Sequence, residues 1–190
     1  MLRITKKNTA LVLIDIQTGL DDGAFYGGNR NNPFAEENMA RILQRWRAAK
    51  GLVFHVQHSS TNPESPLHPS KPGFRLKDGF HPLPGEPLFV KQVNSAFIGT
   101  DLEETLRNQG ITTLIVVGLT TNHCISTSVR MAGNLGFRTY LIADATATFD
   151  RIGINGEQWD AETMHQTTLA SLKDEFATIV FTKALLEAIQ

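Results

Sequence analysis

The chain of 190 residues holds a single cysteine, Cys124. No internal disulfide can brace the fold, which suits a reducing, cytoplasmic setting. Charge of neither sign dominates: 18 Lys and Arg stand against 19 Asp and Glu, a net charge of -1. A nucleic-acid partner has no electrostatic footing on such a surface. No apolar run approaches the roughly 20 residues that a membrane helix needs, so no membrane partner is expected. The stretch Met1 to Asn8 is polar and does not read as a signal peptide. Internal repeats and linkers are missing too, so residues 1–190 are expected to form one domain. With 41% hydrophobic and 19% charged residues, that domain is globular rather than disordered.

What is present is a regular alternation. Short apolar runs at Thr9 to Ile14, Leu52 to Val56, Leu88 to Val90, Thr113 to Val117, Thr139 to Ala143 and Ala177 to Phe181 read as strands. Several are almost continuously hydrophobic, as parallel strands are when helices cover both faces. Between them lie amphipathic stretches. Met39, Ile42, Leu43 and Trp46 share one helical face behind Glu36 and Glu37. Thr100 and Glu103 suggest a capping box. A third helix begins near Thr121 and Asn122, and a fourth runs from about Asp160 to Leu172. The fold class expected is a single-domain α/β doubly wound three-layer sandwich, with a mostly parallel sheet of about six strands. Ser59 to Pro87, rich in Pro, Gly, Ser and His, breaks the rhythm and reads as an ordered excursion over a pocket.

Open α/β sheets bind ligands beyond the carboxyl ends of their strands. Asp15 directly follows the first strand, Lys91 the third, and Cys124 lies six residues past Gly118, at the opening of a helix. Three strands therefore deliver an acid, a cation and the only thiol to one edge. A thiol at a helix start beside an ammonium is expected to have a depressed pKa. A neighbouring carboxylate can accept and return its proton, and the amides of the Leu119 to Cys124 turn can form an oxyanion hole. Each residue also has an ordinary reading: a small buried hydrophobe, a loop cap, a solvated charge.

The segments LVLIDIQTGL (Leu11–Leu20), FVKQVNSAFIGTDLEETLR (Phe89–Arg107), VVGLTTNHCISTSVRMAGNLGF (Val116–Phe137) and LIADATATF (Leu141–Phe149) carry a resemblance. In this order they resemble the isochorismatase-like cysteine hydrolases, which include nicotinamidases and N-carbamoylsarcosine amidohydrolase. The resemblance implies Cys124 as nucleophile, Asp15 as general acid/base and Lys91 as the cation that orients them. It also implies a non-proline cis peptide at Leu119–Thr120, which aims the Thr120 and Cys124 amides at a developing oxyanion. The implied reaction is hydrolysis of a small carboxamide, ureido or carbamoyl substrate through a thioester.

Two departures narrow this. Nicotinamidases carry an Asp-x-His pair and a further His that hold a metal, whereas this chain reads HVQHSSTNPESPLHP at His55–Pro69. His55, His58 and His68 lack ligand spacing, so no metal or other cofactor is expected, and nicotinamide is disfavoured. Cys124 argues against isochorismate vinyl-ether hydrolysis. The alternatives are a vinyl-ether or ester hydrolase in the same pocket, or a non-catalytic binding or redox-sensing module. Gln17, Phe25, His58, Phe149 and Trp159 are the candidate substrate contacts, and His165 is read as structural. By resemblance the chain is expected to form a homo-oligomer, a dimer or tetramer, through the region Phe149 to Leu172.

Overall fold

The computed structural model describes residues 4–189. Its main sheet contains β1 (Thr9–Ile14), β2 (Leu52–His58), β3 (Leu88–Lys91), β4 (Thr113–Leu119), β5 (Arg138–Ala147) and β8 (Thr178–Val180). The strand order is β3-β2-β1-β4-β5-β8, and every pairing is parallel. Two short antiparallel strands, β6 (Arg151–Ile152) and β7 (Gln158–Trp159), form a separate hairpin.

The doubly covered sheet follows from its central strands having no polar face. In β1, Leu11 and Leu13 point into one core, while Ala10, Val12 and Ile14 point into the other. In β4, Ile115, Val117 and Leu119 alternate with Leu114 and Val116 in the same way. This is the two-residue period of a strand buried on both sides. One core is closed by α2 (Ala35–Ala48), with Met39, Ile42, Leu43 and Trp46, and by Leu185 of α6 (Thr182–Ala188). The other is closed by α3 (Leu102–Asn108), α4 (Ser126–Asn134) and α5 (Ala161–Leu172). A short helix α1 (Gly23–Tyr26) completes the set. None of the described helices is long and apolar enough to cross a membrane.

The six strands and four helices read from the sequence are present, with differences at their ends. Strand β5 extends to Ala147, past Asp144. Asp144 Oδ1 accepts bonds from the Thr182 amide and hydroxyl, both at 2.8 Å, so the charge is satisfied without ending the strand. The Thr100–Glu103 capping box does not form. Thr100 Oγ1 donates to the Ala96 carbonyl at 2.6 Å, and Glu103 pairs instead with Arg107. Asp160 does cap α5, accepting from the Thr163 amide at 2.7 Å.

Candidate active site

Strand order reverses between β1 and β4, since β1 is flanked by β2 and β4. Ligands gather at such switch points. Asp15 leaves β1 with φ 54°, a left-handed conformation that Asp tolerates better than most residues, and its amide donates to the Val56 carbonyl at 2.9 Å. Across from it, Gly118 of β4 has φ 131°, and a Cβ there would collide with the Ile14 carbonyl. Only glycine lets the two strand ends approach this closely. The next peptide bond but one, Leu119–Thr120, is cis.

Lys91 ends β3, fully buried, and stands in register with His58 of β2. Its ammonium uses all three of its protons. Nζ donates to Asp15 Oδ2 at 2.7 Å, to His58 Nδ1 at 2.9 Å and to Cys124 Sγ at 3.2 Å. Burial works against this charge, but the Asp15 carboxylate and the Cys124 sulfur outweigh it and raise the lysine above its usual 10.5. His58 is held below its usual value by burial and then by Lys91, so it is neutral. Since an ammonium can only donate, His58 Nδ1 is the acceptor and Nε2 carries the proton.

Cys124 sits in a π-helical turn, Thr121–Ile125, ahead of α4, and not in a regular first turn. The amides of His123 and Ile125 are both directed at the Thr120 carbonyl, at 3.1 and 3.2 Å. The expected depression of the thiol pKa is corrected by this setting. Burial, and then the Asp15 carboxylate, push the thiol up, and Lys91 opposes them without prevailing. Cys124 therefore rests as a thiol. Asp15 Oδ1 is buried and without a hydrogen-bond donor, and carboxylate, thiol and His58 ring nitrogen lie within 4.8 Å of one another.

Those three donor atoms have the composition of a metal site. An ammonium already donates to each of them, so the set does not fit a further cation.

The reactive groups open into a cavity of about 310 Å³. Asp15, His58, Cys124, Asn94, Leu119, Thr120 and His123 line the sheet side, and Leu20, Tyr26, Ser65 and Leu67 close it from above. The excursion between Ser59 and Pro87 thus supplies part of the wall. Of the five expected substrate contacts, only His58 lines the cavity. Gln17 is a buried strut: its Nε2 donates to the His58 and Phe74 carbonyls and its Oε1 accepts the His58 amide. Phe25 is exposed, and the neighbouring Tyr26 takes the wall position, because a four-residue helix turns adjacent side chains apart. Phe149 is buried behind Tyr26, ring centroids 5.4 Å apart. Trp159 lies exposed on β7, with Nε1 bonded to Glu157. His165 is buried and bonds the Thr121 hydroxyl at 2.9 Å, at the turn that carries Cys124. Tyr26, Asn94, Ser65 and Leu67 were missed because no strand end or helix start marks them.

Residues 9–184 match the family model described as the Isochorismatase domain. The chain is 48% identical, over 95% of its length and 96% of the relative's, to YrdC of Bacillus subtilis, an uncharacterized isochorismatase family protein. Streptothricin hydrolase of Streptomyces noursei is 34% identical over 74% of this chain and half of its own length. Amidohydrolases occur among the more distant relatives. Among solved structures, a hydrolase of the same family from Chromobacterium violaceum superposes with a TM-score of 0.93 at 40% identity, covering 99% of this chain and 96% of that one.

Proposed function

The chain belongs to the isochorismatase family of cysteine hydrolases, and from that premise and the geometry of its cavity we propose that it hydrolyses a C–N bond in a small carboxamide, ureido or carbamoyl compound. The observation that carries this reading is the Lys91 ammonium bridging Asp15 Oδ2 and Cys124 Sγ at 2.7 and 3.2 Å at the floor of a substrate-sized cavity.

The chemistry follows from the protonation states. As Sγ attacks the carbonyl carbon, its proton passes to Asp15, and the sulfur's transient negative charge is borne by Lys91. The carbonyl oxygen gathers charge towards the backbone N–H groups of Thr120 and Cys124. Collapse breaks the C–N bond, and Asp15 returns its proton to the departing ammonia or amine. Water, deprotonated by Asp15, then attacks the thioester and regenerates the thiol. Lys91 keeps its proton throughout, because the Asp15 carboxylate at rest, and the sulfur as it gathers charge, favour the charged form.

Self-association belongs to the same proposal. Ile152, Ile154 and Trp159 stand exposed on the β6–β7 hairpin, within the segment expected to mediate it, and size-exclusion chromatography with light scattering tests the point.

The function is tested by screening small amides, ureido acids and carbamoyl compounds for ammonia release, with Cys124→Ala and Asp15→Asn run alongside. Release that both substitutions abolish is the expected result. Activity retained by Cys124→Ala would remove the thioester from the mechanism.

A further inference from the structure

A buried ammonium has three protons to place, and where they go decides which acceptors stay free. Lys91 Nζ gives one each to Asp15 Oδ2 at 2.7 Å, His58 Nδ1 at 2.9 Å and Cys124 Sγ at 3.2 Å. Asp15 Oδ1, on the same carboxylate, is buried and accepts nothing. That carboxylate lies within 4.8 Å of the thiol, so Oδ1 is the oxygen free to receive the Sγ proton. Without an acceptor at His58, the third ammonium proton would turn to the vacant oxygen of the carboxylate it already holds. A carboxylate held by two ammonium bonds is a weaker base.

The imidazole is fixed through its backbone. Gln17, fully buried and two residues past Asp15, accepts the His58 amide on Oε1 at 2.9 Å and donates Nε2 to the His58 carbonyl at 3.0 Å. The parallel register sets His58 beside Lys91, and the Ser59 amide donates to the Lys91 carbonyl at 2.7 Å. The segment that carries the acid and the strand that carries the cation therefore both hold His58 in place. The titratable groups about its ring are Lys91 on β3, Asp15 past β1 and Cys124 in the π-helical turn, while His123 and Tyr26 share the cavity wall. A protonated His58 would aim an Nδ1–H at the ammonium and set two positive charges 2.9 Å apart, so the arrangement requires the neutral ring. Burial, and then Lys91, keep the ring in that form, with Asp15 opposing them.

We propose that His58 is a positioning residue for the reaction: by taking the third proton of Lys91 it keeps Asp15 Oδ1 vacant for the proton of Cys124 Sγ. This rests on the reading of Cys124 as nucleophile and Asp15 as its base. His58 acts through Lys91 and Asp15 and not on the reacting atoms.

The test replaces the amide by an activated ester, p-nitrophenyl acetate. Sγ attacks its carbonyl carbon, the Sγ proton passes to Asp15, and the C–O bond breaks with release of p-nitrophenolate, leaving an acetyl thioester on the chain's single cysteine. Mass spectrometry follows acetylation across mildly acidic to neutral pH. His58→Leu puts a methyl where Nδ1 was, and should slow acetylation about ten- to a hundred-fold, the scale of one charged hydrogen bond. His58→Asn puts an oxygen there, an acceptor that does not titrate, and should recover most of the rate. Wild-type acetylation should fall as pH drops below 6.5, and His58→Asn should hold its rate further into acid. Imidazole nitrogen NMR shifts, assigned by comparison with His58→Asn, should show Nδ1 unprotonated and Nε2 protonated in the wild type at neutral pH. Melting temperatures taken alongside separate a lost acceptor from a lost fold. His58→Leu reacting at the wild-type rate, a folded His58→Asn as slow as His58→Leu, an acid limb unchanged in His58→Asn, or a protonated Nδ1 overturns the role. Acetylation that depends on His58 in this way, without ammonia release from any amide, would leave the role standing and reject the C–N hydrolase proposal. Ammonia release equally fast in wild type and His58→Leu would do the reverse.

Discussion

Replacing Lys91 by methionine isolates the interaction on which the site is built. The substitution keeps the unbranched side chain as far as Cε and removes the charged Nζ, so Asp15, 1% exposed, becomes a buried carboxylate facing no cation. Breaking a buried pair from one side costs about 3–5 kcal/mol, because the remaining ion keeps its desolvation penalty and loses its partner. For a domain of this size that corresponds to a fall in melting temperature of about 6–20 °C. The double variant Asp15→Asn with Lys91→Met removes both charges, and asparagine tolerates the left-handed backbone at that position. It should recover most of the loss, although both forms are expected to be inactive.

The same pair sets a pH dependence. The folded-state pKa of Lys91 is raised above its usual 10.5, so its contribution is complete below that value. It is lost as pH rises through the higher, folded value. Wild-type stability should therefore fall in alkali more steeply than that of Lys91→Met. Urea unfolding of the four combinations at pH 7 to 11 reads both effects. A Lys91→Met variant within about 1 kcal/mol of wild type, or a double variant less stable than the single, would refute the account of the pair.

Asp15→Asn removes the second largest influence that lifts the Cys124 thiol, so the midpoint of its alkylation with pH should lie above the usual 9.0 in the wild type and move down in the variant. Ammonia release should fall at least about a hundred-fold with the same change, the scale of a lost general acid/base. Glu36 is lowered to about 2: burial opposes its charge, but Arg30 and Lys77, at 2.7 and 2.6 Å, prevail. Its stabilisation is present above the usual 4.5 and lost as pH falls through about 2, so Glu36→Gln should flatten acid unfolding across that window. Gly118→Ala places a methyl against the Ile14 carbonyl at a positive φ, and should cost several kcal/mol, about 3 or more, with loss of activity. Thermal unfolding and ammonia release measure it.

The sheet was legible because its central strands carry no polar face. LVLI and TLIVV admit one environment, buried on both sides, and the amphipathic stretches between them identify the covering helices. The gathering of Asp15, Lys91 and Cys124 was legible for a related reason: the carboxyl end of a parallel strand is where reactive side chains can gather, and Asp15 and Lys91 stand directly at such ends. The β6–β7 hairpin was not legible. Its strands are two residues each, too short for alternation to show, and they are held by the buried Asp150 carboxylate rather than by a hydrophobic face. Tyr26 was missed by one position. Apolar character singled out Phe25, but whether a side chain faces the cavity is set by the turn of α1, and that turn depends on Gly27 meeting a backbone carbonyl over a hundred residues away.

The thiol shows the same limit in its chemistry. Helix start, nearby cation and single cysteine all argue locally for a depressed pKa, and each of those features is present in some form. Burial of the thiol, and then the Asp15 carboxylate brought beside it from another strand, reverse the sign. The Lys91 charge that opposes them is shared among Asp15, His58 and the sulfur. With the thiol buried against a carboxylate, the protonated form is the stable one. The consequence is mechanistic. Under the proposed mechanism a preformed thiolate would react with any electrophile that entered, whereas a thiol that passes its proton to Asp15 as the carbonyl closes in is activated by the bound substrate. Discrimination then rests on what holds the substrate against Sγ.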